Sequence, residues 1–316
     1  MSSAALMLGA WAIEAVIGWP QPLYRRIGHP VSWLGWIIAR LETLLNRPAW
    51  PHCARYMSGA IMTCLLVAGV AGLASAISRA LPDTVPGFAI EAAMASSLIA
   101  SRSLHAHVAD VARPLMAGDL ETARQAVARI VGRDPACLDE AGIARAGLES
   151  LSENLSDGVI APVVWGLAFG LPGIAAYKAV NTLDSMIGHH TPRYAAYGGF
   201  AARLDDLANL VPARLSGLLI VVSAASLSAA RLMVRDAGHH RSPNAGWPEA
   251  AMAGALNVRL SGPRNYGGCE SAEPWLNAGA EDPLPADMRR GLTIYKRVCG
   301  LALACLAVLA VLEGAG

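Results

Sequence analysis

MSGAIMTCLLVAGVAGLASAIS, residues 57–78, carries no charged side chain and decides the class of the fold. About 20 apolar residues in helical conformation cross the hydrocarbon core of a bilayer. This run is long enough to do so. Three more segments repeat the pattern: VCGLALACLAVLAVL at 298–312, LSGLLIVVSAASLSAA at 215–230, and the opening stretch SSAALMLGAWAIEAVIGW. Hydrophobic residues make up 54% of the chain and mean hydropathy is +0.40, values of an integral membrane protein rather than a soluble domain. Strand patterning is almost absent. The expected fold is therefore all-α, a single polytopic membrane domain over 1–316 with re-entrant or broken helices and cytoplasmic helical loops. Its apolar segments are placed at about 3–19, 57–81, 89–105, 158–176, 213–231 and 297–313.

The opening segment has no positive n-region and contains Glu14, so it is expected to stay as an anchor. The six cysteines show no CxxC or Cys/His spacing, which argues against structural zinc and a disulfide framework. A net charge of +1 supplies no basic field for nucleic acid. Charge placement instead orients the chain. Arg25, Arg26, Arg40, Arg47 and Arg55 lie between residues 20 and 56, whereas PDTVPGF at 82–88 and the tail after Arg297 hold no Lys or Arg. By the positive-inside rule the long polar stretches face the cytoplasm.

Against this apolar background, carboxylates, carboxamides and cations crowd into 149–214, as ESLSENLSDG, YKAVNTLDSMIG and ARLDDLANLVPAR. Only 16% of the chain is charged, and burying an unpaired charge costs several kcal/mol or more. A bound ion or anionic substrate would compensate such a cluster. The run GVIAPVVWGLAFGLPGIAA at 158–176 divides it, and a full crossing there would put its halves on opposite sides. Pro162, Gly166, Gly170, Pro172 and Gly173 interrupt that run, so a re-entrant or protein-buried helix pair is expected.

On a regular helix Glu149, Glu153 and Asp157 share a stripe within about 80° of arc. Glu149, with Arg145 at i−4, reads as a solvated face; Asn154 and Asp157, set against the apolar run, do not. Asn181 and Asp184 at i,i+3 present the oxygen ligands that magnesium takes, and Lys178 one turn earlier suits a phosphate. In the third cluster Asp205 and Asp206 meet Asn209 on one side of a helix, with Arg203 and Arg214 as flanking forks for carboxylate or phosphate. RSPNAGWPEAAMAGAL at 241–256 places Asn244 in a turn between two prolines. GPRNYGG at 262–268 reads equally as a loop closing over a ligand or an ordinary linker. The stretch 106–133 reads as an amphipathic hairpin with Asp119 as N-cap, and Asp134-Pro135 as a turn. His29 reads as a structural histidine near Trp33 and Trp36. No P-loop and no GxGxxG motif is present.

The strings ESLSENLSDGVIAP, YKAVNTLDSMIGHHTPRYAAYG, ARLDDLANLVPARLSG and HRSPNAGWPEAAMAGAL, with the early GHPVSWLG, resemble the adenosylcobinamide-phosphate synthase family of cobalamin biosynthesis, the CobD/CbiB type. The resemblance spans nearly the whole chain. It implies a multi-pass inner-membrane enzyme that joins adenosylcobyric acid to aminopropanol phosphate, or aminopropanol, through an ATP-dependent amide bond. One departure stands out: Trp19, in IGWPQP, occupies a place where that family usually has Asp. Laid on the matching motifs, physical chemistry gives the following expectations. Asn181, Asp184, Asp205, Asp206 and Asn209 hold Mg²⁺. Lys178, Arg203, Arg214, Asn154 and Asn244 bind substrate or phosphates, with ATP as co-substrate, and Glu153 or Asp157 accepts the proton of the attacking amine. A transporter, a non-catalytic membrane assembly partner and a magnesium-dependent membrane prenyltransferase are the rival readings. Whether the chain works as a homo-oligomer or with other cobalamin-pathway enzymes stays open.

Overall fold

The computed structural model describes residues 2–130, 138–266, 269–271 and 273–315. It is helical almost throughout. The helices are α1 (Ser3–Val16), α2 (Gln21–Ile27), α3 (Pro30–Leu45), α4 (His52–Ala80), α5 (Val85–Ser96), α6 (Ser101–Met116) and α7 (Leu120–Val127). After them come α8 (Glu140–Leu155), α9 (Ala161–Ile187), α10 (Gly199–Ala224), α11 (Leu227–Asp236), α12 (Gly246–Leu256) and α13 (Pro285–Ala315). A π-helical turn, Ser156–Ile160, joins α8 to α9. Four short strands, β1 (Leu260–Ser261), β2 (Arg264–Tyr266), β3 (Cys269–Ser271) and β4 (Trp275–Leu276), pair antiparallel as β1–β4 and β2–β3. The segment read as a loop over 262–268 thus contains one strand of a small ribbon, while the Asp134-Pro135 turn lies outside the described residues.

Among the described residues four helical segments are long and apolar enough to cross a membrane: His52–Ala80, Glu140–Ile187, Gly199–Ala224 and Pro285–Ala315. A fifth appears if Ser3–Val16 and Gln21–Leu45, bent by 102°, count together. Two expected apolar segments are shorter than the sequence suggests. The 89–105 run breaks after α5, where the Ser96 and Ser97 hydroxyls donate to the carbonyls of Ala93 and Met94 and draw the last turn tight. The 213–231 run stops at Ala224, because Ala225 takes φ 50° and Ser226 caps a new helix by accepting the Ala229 N–H.

The contacts divide the chain into two compact units: residues 1–100, 161–209 and 306–316 in one, 101–160 and 210–305 in the other. In the first, α9 is the hub, packing on α1, α3, α4 and α5. It is not straight. Gly170 adopts φ 65°, ψ −149°, and a Cβ on Gly173 would fall 2.2 Å from the carbonyl oxygen of Trp165. Eight residues of straight helix would separate those positions by about 12 Å. The chain therefore folds back sharply at Gly170, as the glycines and prolines of 158–176 imply. The Trp165 and Phe169 rings stack at 5.9 Å on the first leg, and Trp165 Nε1 donates to the Ala208 carbonyl at 3.0 Å. A buried cluster of Ile38, Met62, Leu183, Ile187, Tyr197 and Ala201 joins α3, α4 and the returning leg.

In the second unit α8 packs on α6, α7 and α12, and α11 on α12. The expected hairpin is present: Asp119 caps α7 by accepting the Thr122 N–H at 3.1 Å.

Candidate functional site

The returning leg of α9 and the start of α10 bring together six of the predicted residues within the first unit. Tyr177 Oη donates to Asn209 Oδ1 at 2.9 Å, and Asn209 Nδ2 donates to Asp205 Oδ2, also at 2.9 Å. Asn209 and Asp205 are buried. The other carboxylate oxygen, Asp205 Oδ1, is buried with no hydrogen-bond partner among the described residues. Asp184 and Asp206 act on this carboxylate through their charge, and Asn181 is a further polar neighbour. Lys178 Nζ reaches Asn181 Oδ1 at 3.3 Å. His189 and His190 interact with the charge of Asp184, and His190 also with that of Asp206.

This donor set fits a hard divalent ion. Carboxylate and carboxamide oxygens are the ligands Mg²⁺ takes, and a buried carboxylate oxygen with no donor is where a cation would relieve the desolvation cost. Among the described residues no three His, Cys, Asp or Glu side chains converge closely enough to cage an ion unaided. Magnesium sites usually take only one or two carboxylates and fill the remaining positions with water and phosphate oxygens.

Arg203 stands apart from this cluster. Its guanidinium lies 5.8 Å from the Tyr56 ring centre and donates to Tyr56 Oη at 3.2 Å. The loop after α9 is anchored by a polar network. Glu42, 4% exposed, accepts from Arg193 Nε and Nη2 at 3.0 and 2.6 Å and from Asn46 Nδ2 at 2.7 Å. Asn46 and Arg55 also donate to the Arg193 carbonyl. The Glu42 carboxylate holds the Arg193 guanidinium above its ordinary value. These bonds fix the segment that returns the chain from Asp184 to Asp205.

The remaining predicted residues belong to the second unit. Glu149, read as a solvated face, is buried and accepts the Ser261 N–H at 2.8 Å. Glu153 and Asn154 are exposed, and Asn154 Nδ2 donates to the Ser150 carbonyl at 3.0 Å. Asp157 sits in the π-helical turn, where the regular four-residue stripe no longer holds. Arg214 lies 4.6 Å from the Trp247 ring centre, donates to the Leu210 carbonyl at 2.7 Å and touches Asn244 Oδ1 at 3.5 Å. Asn244 is buried in a turn where Ser242 Oγ accepts the N–H groups of Asn244 and Ala245. The turn read at Asn244 is present, and its contact with Arg214 is one the sequence did not suggest.

A family model described as CobD/Cbib protein matches residues 7–295. The chain belongs to the CobD/Cbib family. It is 53% identical over 313 residues to a "Cobalamin biosynthesis protein CobD" of Rhodobacter capsulatus, covering 99% of each chain. Proteins of the same name from Sinorhizobium sp and Rhizobium meliloti are 44% and 42% identical, over 95% and 94% of this chain and 96% and 93% of theirs. No solved structure matches. One residue near the site escaped the reading of the sequence, and a second was read only as structural. Tyr177 holds Asn209, and its position four residues before Asn181 was a visible signal of a shared face. His29, read as a structural histidine, feels the charge of Lys178 from α9, the helix that α3 packs on, and nothing local in the sequence places those two together.

Proposed function

We propose that this CobD/Cbib family member is an enzyme of the inner membrane that forms an amide bond, joining adenosylcobyric acid to aminopropanol phosphate or aminopropanol at the expense of ATP. The observation that carries the reading is the buried, partnerless Asp205 oxygen among Asn181, Asp184, Asp206 and Asn209, next to Lys178. A carboxylate does not condense with an amine in water unaided. Attack of its oxygen on the γ- or α-phosphorus of ATP gives an acyl phosphate with ADP, or an acyl adenylate with pyrophosphate. The amine nitrogen then attacks the acyl carbon, phosphate or AMP leaves, and the amine proton passes to a base.

Lys178, Arg203, Arg214, Asn154 and Asn244 are assigned to phosphate and substrate binding, and Glu153 or Asp157 to the proton. Asn181, Asp184, Asp205, Asp206 and Asn209 would hold magnesium, which when bound neutralises charge on the phosphoryl group. The Arg-rich stretch 20–56 supports a cytoplasmic site, where ATP is available. The test is product formation by the purified protein with adenosylcobyric acid, aminopropanol phosphate, magnesium and ATP. An amide product with ADP supports a phosphorylated intermediate, and AMP supports adenylation. Asp184→Asn should abolish product while the protein remains inserted and folded; an active D184N protein would remove the metal assignment.

A further inference from the structure

His29 opens α3 as its N-cap, and its surroundings fix both where it sits and which nitrogen it offers. Gly28 takes φ 74°, a left-handed turn that favours glycine. Two indoles clamp that turn: Trp33 Nε1 donates to the Ile27 carbonyl at 2.6 Å, and Trp19 Nε1 to the Gly28 carbonyl at 3.1 Å. The Trp19 ring also meets the imidazole edge-on, at 4.9 Å and 68°. The residue that departs from the family's usual Asp is thus part of the mount for His29. His29 Nδ1 accepts the Val31 N–H at 3.2 Å, so the neutral ring carries its proton on Nε2.

The ring's level in the fold follows from the packing of α3 on α9. A Cβ on Gly35 would lie 3.3 Å from Met186 Sδ, and Glu42, farther along α3, binds Arg193 beyond the end of α9. The two helices therefore run in the same direction. About two turns before Gly35 and Met186, His29 comes level with Lys178, and Lys178 is the charged group that acts on the His29 ring. Lys178 in turn contacts Asn181. A rigidly mounted N–H donor and an ammonium on adjacent helices, at the edge of a carboxylate and carboxamide cluster, make a two-point site for an oxyanion.

We propose that His29 donates its Nε2 hydrogen to a phosphoryl oxygen bound by Lys178, making it a substrate-binding residue of the site. This rests on the phosphate-binding role of Lys178 given above. The phosphoryl group belongs either to ATP or to aminopropanol phosphate, and the two are separable by titration.

The experiment compares wild type, His29→Asn and His29→Gln. Asparagine is a good N-cap that preserves an acceptor for the Val31 N–H but has no atom at the Nε2 position; glutamine reaches that position with an amide N–H. Each purified protein is titrated calorimetrically with ATP and, separately, with aminopropanol phosphate. The expected result is about tenfold weaker binding of one of these by H29N, the scale of one charge-assisted hydrogen bond, with H29Q largely restored. The affected titrant names the source of the phosphoryl group. If H29N binds both as wild type does, or wild type binds neither, the proposal is overturned. A purely structural cap predicts the reverse order, with H29N unchanged and H29Q impaired. Amide formation is followed separately: a wild-type protein that makes product while H29N matches it in both titrations loses this inference alone. One that makes no product but shows the H29N loss keeps this inference and loses the proposed reaction.

Discussion

Asn209→Ala tests the polar core of the site most directly, because Asn209 is the joint between two helices. Its carboxamide accepts from Tyr177 on α9 and donates to Asp205 on α10, both at 2.9 Å, and the residue is 1% exposed. Truncation takes an acceptor from a buried phenol and a donor from a buried carboxylate. Each loss costs about 1–3 kcal/mol, more where a charge is involved, so the variant should lose about 3 kcal/mol after relaxation. For a chain of 316 residues that corresponds to a melting point about 4–5 °C below wild type. The assay is thermal unfolding in detergent, followed by tryptophan fluorescence, with Tyr177→Phe and the double variant measured alongside. Tyr177→Phe should cost about 1 kcal/mol, and the double variant less than the sum of the singles, because deleting the phenol removes one of the groups N209A deprives. An N209A melting point within about 1 °C of wild type, or strictly additive losses, would refute the hydrogen-bonded chain as a source of stability.

Two further outcomes are expected. In the second unit Arg259 hydrogen-bonds Asp282 at 3.0 and 2.6 Å, Arg145 adds a second ion pair, and Asp282 is held down to about 2. Its folded value lies below the ordinary carboxylate value, so its contribution is present above pH ~4 and lost as pH falls from ~4 towards ~2. Trp275, stacked 4.6 and 4.5 Å from the two guanidiniums, reports that loss by fluorescence, and the transition should vanish in Asp282→Asn. Gly59→Ala should destabilise the packing of α4, since the new Cβ would fall 1.8 Å from the Tyr197 carbonyl oxygen, a backbone atom that cannot step aside. Lower yield and a lower melting point than a control Gly69→Ala, which meets nothing within 4 Å, check this.

The sequence by itself determined that this is a helical membrane protein, because charge-free runs such as 57–78 are a local property that no packing can override. It also determined the break within 158–176, since φ 65° at Gly170 is tolerated by glycine and the flanking prolines remove helical donors. The i,i+3 and i,i+4 spacings of Lys178, Asn181 and Asp184, and of Asp205 and Asn209, were legible because a helix fixes its own faces. Tertiary structure alone decided which faces meet. Glu149 looked solvated until the Ser261 backbone, 112 residues later, arrived to bind it. Asp157 left its predicted stripe because a π-helical turn changes the period that the spacing assumed. His29 came under the charge of Lys178 only through the parallel packing of α3 on α9, an arrangement of segments far apart in the chain that no local pattern encodes.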